Sequence, residues 1–494
     1  MLAAGLVTEL LLACVSILVL LSIWQQWKDR SKMPPGPPPL PFIGNLLHLD
    51  PRQMSDSLIK MSRKYGPVFT MHLGPRPVVV LCGYQAVKEA LVDQGEEFSG
   101  RGEQALFNWL FKDFGVIFSQ GERAKQLRSF SITTLRDFSV GKRGIEERIQ
   151  EEAQFLIESL RDTKGAPIDP SFFLSRAVSN VISSIVFGDR FDYEDEQFLS
   201  LLQMISRGFQ FIASPIGQLF DSYHCVMKYL PGPQHQAMKQ LQGLEQFIAE
   251  KVRENQRTLD PNSPRNFIDS FLIKMQEEKN NPNTEFFLKN LVTTALNLFF
   301  AGTEAISTTL RYGFLLLMKY PEVEAKVHEE IGRIIGRNRP PRLEDRAQMP
   351  YTEAVIHEIQ RFSDIIPMSI AHCVMKDTKF RGYLIPKGTE VFPMLGSVLR
   401  DPQFFSAPKA FDPGHFLDAK GQFKKSDAFM AFSVGKRYCF GEKLARTELF
   451  LFLTTILQNF HFKPLPRTAD IDISPKIVGF ATIPHNYDIS FLPR

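Results

Sequence analysis

The chain is short of the features that mark several functional classes. Its charge is nearly balanced, 58 Lys and Arg against 54 Asp and Glu, a net of +4. That excess is too small to draw it onto nucleic acid. The five cysteines, Cys14, Cys82, Cys225, Cys373 and Cys439, are odd in number and widely scattered. This excludes a disulfide framework and fits a reducing compartment. No Asn-x-Ser/Thr sequon occurs, as suits a body facing the cytosol. After residue 45 there is no Pro/Gly/Ser-rich linker, no low-complexity tract and no repeat. Length alone would allow about three domains, but nothing divides the chain, and residues 46–494 read as one unit. Tryptophan (3) and tyrosine (11) are scarce beside 43 phenylalanines. Phe adds apolar surface without a hydrogen-bonding handle. Most of these rings belong to a core, and some are expected to line a pocket for flat apolar molecules.

The N-terminus has what the body lacks, a long hydrophobic run. Residues 2–24 carry Glu9 as their one charge, and about 20 apolar residues suffice to span a bilayer. No basic side chain precedes the run, whereas Lys28, Arg30 and Lys32 follow it. This favours an uncleaved anchor over a signal peptide and a cytosolic body. Met33-Pro-Pro-Gly-Pro-Pro-Pro-Leu-Pro41 is stiff and extended. The basic flank and this Pro-rich hinge occupy residues 25–45.

Along the body, Val78–Leu81 reads as a strand. Residues 85–257 read as mostly helical, with turns at Gly100–Gly102, Gly115–Gly121 and Pro231–Pro233. A long apolar helix is expected over 285–320, followed by amphipathic helices at 321–336 and 350–362 that each open with Pro. Residues 380–391 suggest two strands around the turn Pro386-Lys-Gly-Thr389, and a last helix covers 442–459. The fold class is mainly α with a smaller β-rich subregion.

One stretch carries chemistry outright: Phe432-Ser-Val-Gly435-Lys-Arg437-Tyr-Cys439-Phe-Gly441. A lone Cys between glycines, just before a helix, suits a thiolate held against a metal, because helix N–H groups and the helix dipole stabilise its charge. The glycines would admit a flat cofactor, and Arg437 could meet an acidic group on it. The pattern F-x-x-G-x-R-x-C-x-G resembles the haem-binding loop of the cytochrome P-450 haem-thiolate monooxygenases. The resemblance covers residue 34 to the end and implies haem b, with Cys439 as axial ligand to iron, a ligation that favours O–O cleavage.

Further motifs follow in the family's order. Glu358-Ile-Gln-Arg361 and Phe411-Asp-Pro413-Gly-His415-Phe416 resemble segments that form a buried charged triad, here Glu358, Arg361 and His415. The resemblance names Arg101, Arg128, His372 and Arg437 as partners of the haem propionates, with Phe432, Gly435 and Gly441 shaping the loop. Ala124 stands where the family usually has Trp, and Ala431 where close relatives have Pro. In the long helix, Ala301-Gly302-Thr303-Glu304-Ala305 resembles A-G-x-E/D-T, whose threonine hydroxyl helps deliver protons during oxygen activation. Ala305 has no hydroxyl, so Glu304 with ordered water is expected to relay protons, with Thr303 nearby. Gly302 is expected to allow close approach of something flat, or a bulge that opens a groove for O2.

The chain looks closest to the mammalian microsomal drug-, coumarin- and steroid-hydroxylating subfamily. By that resemblance the substrate contacts are Phe107, Phe111, Ile117, Phe118, Phe209, Asn297, Phe300, Ala301, Ile366, Ile370 and Phe480. Arg123, Lys125, Lys142, Arg143, Lys436 and Lys443 would form a basic docking face. The implied partners are an NADPH-dependent flavoprotein reductase, cytochrome b5, a small apolar substrate, O2 and membrane lipid. The implied location is the endoplasmic reticulum membrane. The rival readings are a reductase-independent haem-thiolate isomerase or dehydratase, and a non-catalytic haem or lipophile binder.

Overall fold

The computed structural model describes residues 13, 17, 33–140, 144–465 and 467–494. The expected anchor and its basic flank lie almost wholly outside them, as do Lys142 and Arg143. Among the described residues no helix is long and apolar enough to cross a membrane.

The centre of the molecule is the helix Leu288–Lys319. Its sequence has no proline and is rich in Leu, Phe and Thr, so it propagates for 32 residues and is buried on most sides. It stops at Tyr320 because Pro321 lacks an N–H, and Pro321 opens the next helix, Pro321–Ile334. Helices Ser171–Val186, Pro350–Ser363 and Glu442–Asn459 pack around it. One core cluster joins these elements through Val178, Leu310, Phe314, Ile359 and Phe450.

The β-rich subregion is a five-stranded sheet. Val68–Leu73 and Arg76–Cys82 form a hairpin around Gly74, whose φ of 66° suits glycine. Arg76–Cys82 then pairs in parallel with Glu390–Met394, which pairs antiparallel with His372–Cys373, and that strand pairs with Gly100–Arg101. One expectation is corrected here. Gly100–Arg101 is an edge strand, not a turn, because its register sets Arg101 opposite His372. Strands flank the turn at Pro386–Thr389 as expected: Tyr383–Ile385 pairs back onto Thr378–Phe380, while Glu390–Met394 enters the larger sheet.

The Pro-rich run lies along the first strand. Thr70 donates its N–H to the Pro35 carbonyl (2.8 Å) and its Oγ1 hydrogen to that of Pro34 (2.8 Å). Asn45 Nδ2 donates to Pro38 O at 3.0 Å. The prolines thus supply acceptors to the body although they have no donors of their own.

Candidate haem site

Three loops and one helix converge on a common region. The Cys loop turns through Gly435, which has φ 73°. A Cβ there would stand 1.7 Å from the Leu91 carbonyl oxygen. Neighbouring backbone therefore by itself requires glycine at 435. Gly441 differs: a Cβ there would meet only Cys439 Sγ within 4 Å. Cys439 N–H donates to Phe432 O (2.8 Å), fixing the loop's return. The Phe432 ring lies under the Arg446 guanidinium at 5.2 Å. Helix Glu442–Asn459 begins behind the thiol. Cys439 is accessible although protein encloses it at longer range, as for a residue on the wall of an internal chamber. Burial pushes its thiol up, while the Gly441 N–H and Arg128 work to lower it.

The cationic candidates gather around one backbone segment. Arg101 Nε (3.1 Å) and Arg437 Nη2 (2.7 Å) both donate to the Ile117 carbonyl, and Arg437 Nη2 also reaches Ser119 O at 3.0 Å. Arg128 donates to Tyr438 O (2.9 Å), with its guanidinium over the Phe440 ring at 5.3 Å. Burial destabilises the charge on all three; repulsion from neighbouring arginines adds to it at Arg101 and Arg437, holding Arg437 down to about 9, whereas Tyr438 and Cys439 offset it at Arg128. Arg437 Nε has no hydrogen-bond partner. Buried guanidiniums crowded together without a carboxylate match a group that brings its own anions, so this set fits the two propionates of haem.

His372 fits on different terms. Its Nδ1 donates to Phe98 O at 2.7 Å, and its Nε2 is buried without a partner. Burial, with Arg101 alongside, pushes its pKa down to about 3. In that neutral tautomer Nε2 is an acceptor, so it can donate to a carboxylate only after taking up a proton.

The long helix presents one accessible strip. Ala301 is exposed in the middle of an otherwise buried helix, and Ala305 follows it one turn later. Thr303 is on the other side. Its Oγ1 donates to Phe299 O (2.8 Å) and meets Ser179 Oγ (3.2 Å), which removes it from the candidate proton donors. Ser307 donates back to Thr303 O and Thr309 to Ala305 O, so neither replaces the missing hydroxyl. Gly302 is likewise explained by packing: a Cβ would lie 2.5 Å from Ile182 Cδ1. Helix Ser171–Val186 is what approaches closely, and the long helix carries no bulge there. Glu304 is buried, and desolvation pushes its carboxyl up to about 7 against the pull of Arg311.

The substrate candidates converge. Phe107 stacks on Phe118 (4.7 Å) and meets Phe300 edge-on (5.6 Å), and Phe300 meets Phe209 at 6.3 Å. Ile117, Ile370 and Phe480 pack on the same cluster, and Ile366 joins Phe209 and Phe480. Phe111, wholly buried, stacks on Phe107 at 6.1 Å in the same cluster. Asn297 Oδ1 accepts from the Ile117 N–H at 3.2 Å. The amide is thereby oriented with Nδ2 as the end able to donate. A separate groove of about 1060 Å3, lined by Gln126, Phe130, Arg265 and Lys274 among others, is open and mixed in polarity and shares none of these residues.

The structure brings Glu358, Arg361 and His415 together. Arg361 is fully buried and grips Glu358 with Nε (2.7 Å) and Nη2 (2.6 Å). Its other hydrogens go to the carbonyls of Leu399, Pro408 and Ala410. His415 Nδ1 donates to Glu358 at 3.2 Å while its Nε2 accepts from Ala407 N at 3.4 Å. The basic face is weaker than its count suggested. Arg123 is engaged by Asp113 (2.9 Å) and Glu285 (2.7 Å), and Lys436 by Glu96 (2.8 Å). Lys125 and Lys443 are exposed.

Sequence reasoning missed the Ile117–Ser119 segment as the hub that positions two arginines. It acts through carbonyl oxygens, which every residue has, so no motif marks it.

Comparison with known proteins agrees with this geometry. The family model described as Cytochrome P450 matches residues 34–491. Cytochrome P450 2A13 of Homo sapiens is 74% identical over 494 residues, the whole of both chains. Cytochrome P450 2A5 of Mus musculus (72%) and Cytochrome P450 2A6 of Homo sapiens (71%) match over the same full length. A match of that extent leaves no part of the body outside the family, and the chain therefore belongs to the cytochrome P450 family of haem-binding monooxygenases.

Proposed function

We propose that this enzyme is a membrane-bound haem-thiolate hydroxylase of small, flat, apolar compounds such as coumarins and steroids, fed with electrons by an NADPH-dependent flavoprotein reductase. Haem, when bound, supplies the redox chemistry that activates O2 and inserts one oxygen atom into the substrate. Cys439 would hold the iron, with the Gly441 N–H stabilising the thiolate. Arg101, Arg128 and Arg437 would hold the propionates. Their shared anchorage to Ile117, Ser119 and Tyr438 carbonyls keeps them in place without neutralising them.

The observation that carries the substrate class is the aromatic cluster around Phe107, Phe118, Phe209 and Phe300 beside the Ala301 strip. It excludes water and offers one amide donor, Asn297 Nδ2, to orient a carbonyl. Glu304, held near neutrality, can hold and release a proton at its carboxyl. Lys125 and Lys443 are the described cations left for an acidic electron donor, and cytochrome b5 would compete for the same patch. Membrane association is supported by the apolar N-terminal run and by an exposed apolar face. Leu40, Phe42 and Ile43 are exposed, as are Ile216, Leu219 and Leu230, and Tyr223 Oη donates to Phe42 O at 2.9 Å, tying the two segments.

The test is turnover of coumarin with and without NADPH and added reductase, using Cys439→Ser as control. Native protein should form hydroxylated product only with both additions and give the ferrous–CO spectrum of thiolate-ligated haem, and Cys439→Ser should do neither. Rearrangement of a peroxide without reductase would favour the isomerase reading instead.

A further inference from the structure

We propose that Glu324, His328 and His461 form a zinc-binding site that ties helix Pro321–Ile334 to strand Phe460–Pro464. Glu324 and His328 are four apart, so they share one helix face. His461 reaches that face from the strand. Glu324 Oε1 lies 3.0 Å from His461 Nδ1 and 3.7 Å from His328 Nε2. One donor atom from each of the three falls within 4.8 Å of the other two. A tetrahedral ion with ligands at about 2.0–2.1 Å separates its donors by about 3.3 Å. The two measured separations bracket that value.

The state of His328 points to a ligand. The residue is 8% exposed, and its Nε2 is buried with no hydrogen-bond partner. Its ring also bonds to the Phe460 backbone. That leaves Nε2 as the bare nitrogen, the tautomer a metal requires. A helix-to-strand clasp alone would be satisfied by Glu324 with His461 and the Phe462 N–H, at 3.0 Å each. It would leave His328 Nε2 unpaired, which costs free energy. A metal ion pairs it. The Phe462 N–H then becomes the outer-shell bond that orients the Glu324 carboxylate.

The chemistry of the set names the ion. Two imidazoles and one carboxylate suit zinc and disfavour magnesium or calcium, which take oxygen ligands. His461 is exposed, so it gives an entry path and leaves a fourth position to water. Arg494 lies near enough to disfavour positive charge on His328 and works against the ion.

The experiment uses untagged, haem-loaded, full-length protein equilibrated with buffered free zinc. Metal content is measured by mass spectrometry and the zinc K-edge by X-ray absorption, which separates it from haem iron. Native protein should hold one zinc per chain, with imidazole in a first shell at about 2.0–2.1 Å. His461→Ala, on an exposed side chain, and His328→Gln should each lose it at the same free zinc, with haem content unchanged. Zinc absent from the native protein overturns the site. So does zinc that persists in both variants, because it then sits elsewhere.

Discussion

At the residue scale, Ala305 is the departure with the clearest chemical cost. Three hydroxyls around it are already committed: Thr303 to Phe299 and Ser179, Ser307 to Thr303, Thr309 to the Ala305 carbonyl itself. Proton delivery would then fall to Glu304, Thr308 and water. General acid help is worth roughly 10²–10⁴-fold, and a well-placed water recovers much of it. The expected outcome is partial uncoupling, with Ala305→Thr raising product and lowering hydrogen peroxide per NADPH. Tight coupling in the native protein, unchanged by Thr, would count against this. Glu304 makes a second prediction. Its folded pKa, about 7, is raised above the ordinary carboxylate value of 4.5 by burial. The unfolded chain therefore loses its proton first, and stability falls as pH rises from about 4.5 through about 7. Glu304→Gln cannot ionise. Denaturant melts should show the variant gaining on the native protein across that window and holding the gain above it.

At the element scale, two contacts hold the helices in register. Gly302 admits Ile182 between the long helix and helix Ser171–Val186. Gly302→Ala overpacks that contact at about 1–3 kcal/mol, offset by about 1 kcal/mol of helix propensity. The penalty should shrink in an Ile182→Ala background, and a double-mutant cycle measures it. Equal penalties in both backgrounds would mean the contact does not matter. Arg361 makes five bonds from a fully buried position. Arg361→Ala strands the Glu358 carboxylate and should cost about 3–5 kcal/mol. It should be read as low haem-bound yield and early melting. The sequence showed the spacing of Glu358 and Arg361, and the resemblance supplied His415. It gave no sign that three carbonyls from Leu399 to Ala410 complete the arginine's coordination, because backbone acceptors leave no trace in composition.

At the scale of the whole molecule, the described elements pack around one helix, and an exposed apolar face gathers residues far apart in sequence. Leu40–Leu47 and Ile216–Leu230 contribute to it. With the N-terminal run as anchor, this face would rest against lipid with the body on the cytosolic side. Protease added outside intact microsomes should then digest the body, and protection from digestion would contradict that orientation.

What the sequence determined by itself was the local chemistry: the Cys439 loop, the helix that follows it, the long apolar helix, the Glu358–Arg361 pair and the apolar N-terminus. Each rests on short-range spacing or on a run of one character, which neighbouring residues settle among themselves. Tertiary structure decided where those pieces face. It turned Thr303 toward Ser179 and away from the Ala301 strip, gave Gly302 to Ile182 and Gly435 to the Leu91 carbonyl, and paired Arg123 with Asp113 and Glu285. It set Arg101 across from His372 by strand register. It also brought Glu324 and His328 to His461, more than 130 positions away in the chain. A one-dimensional pattern fixes which groups are available, but the partner of each group is chosen by packing between distant segments.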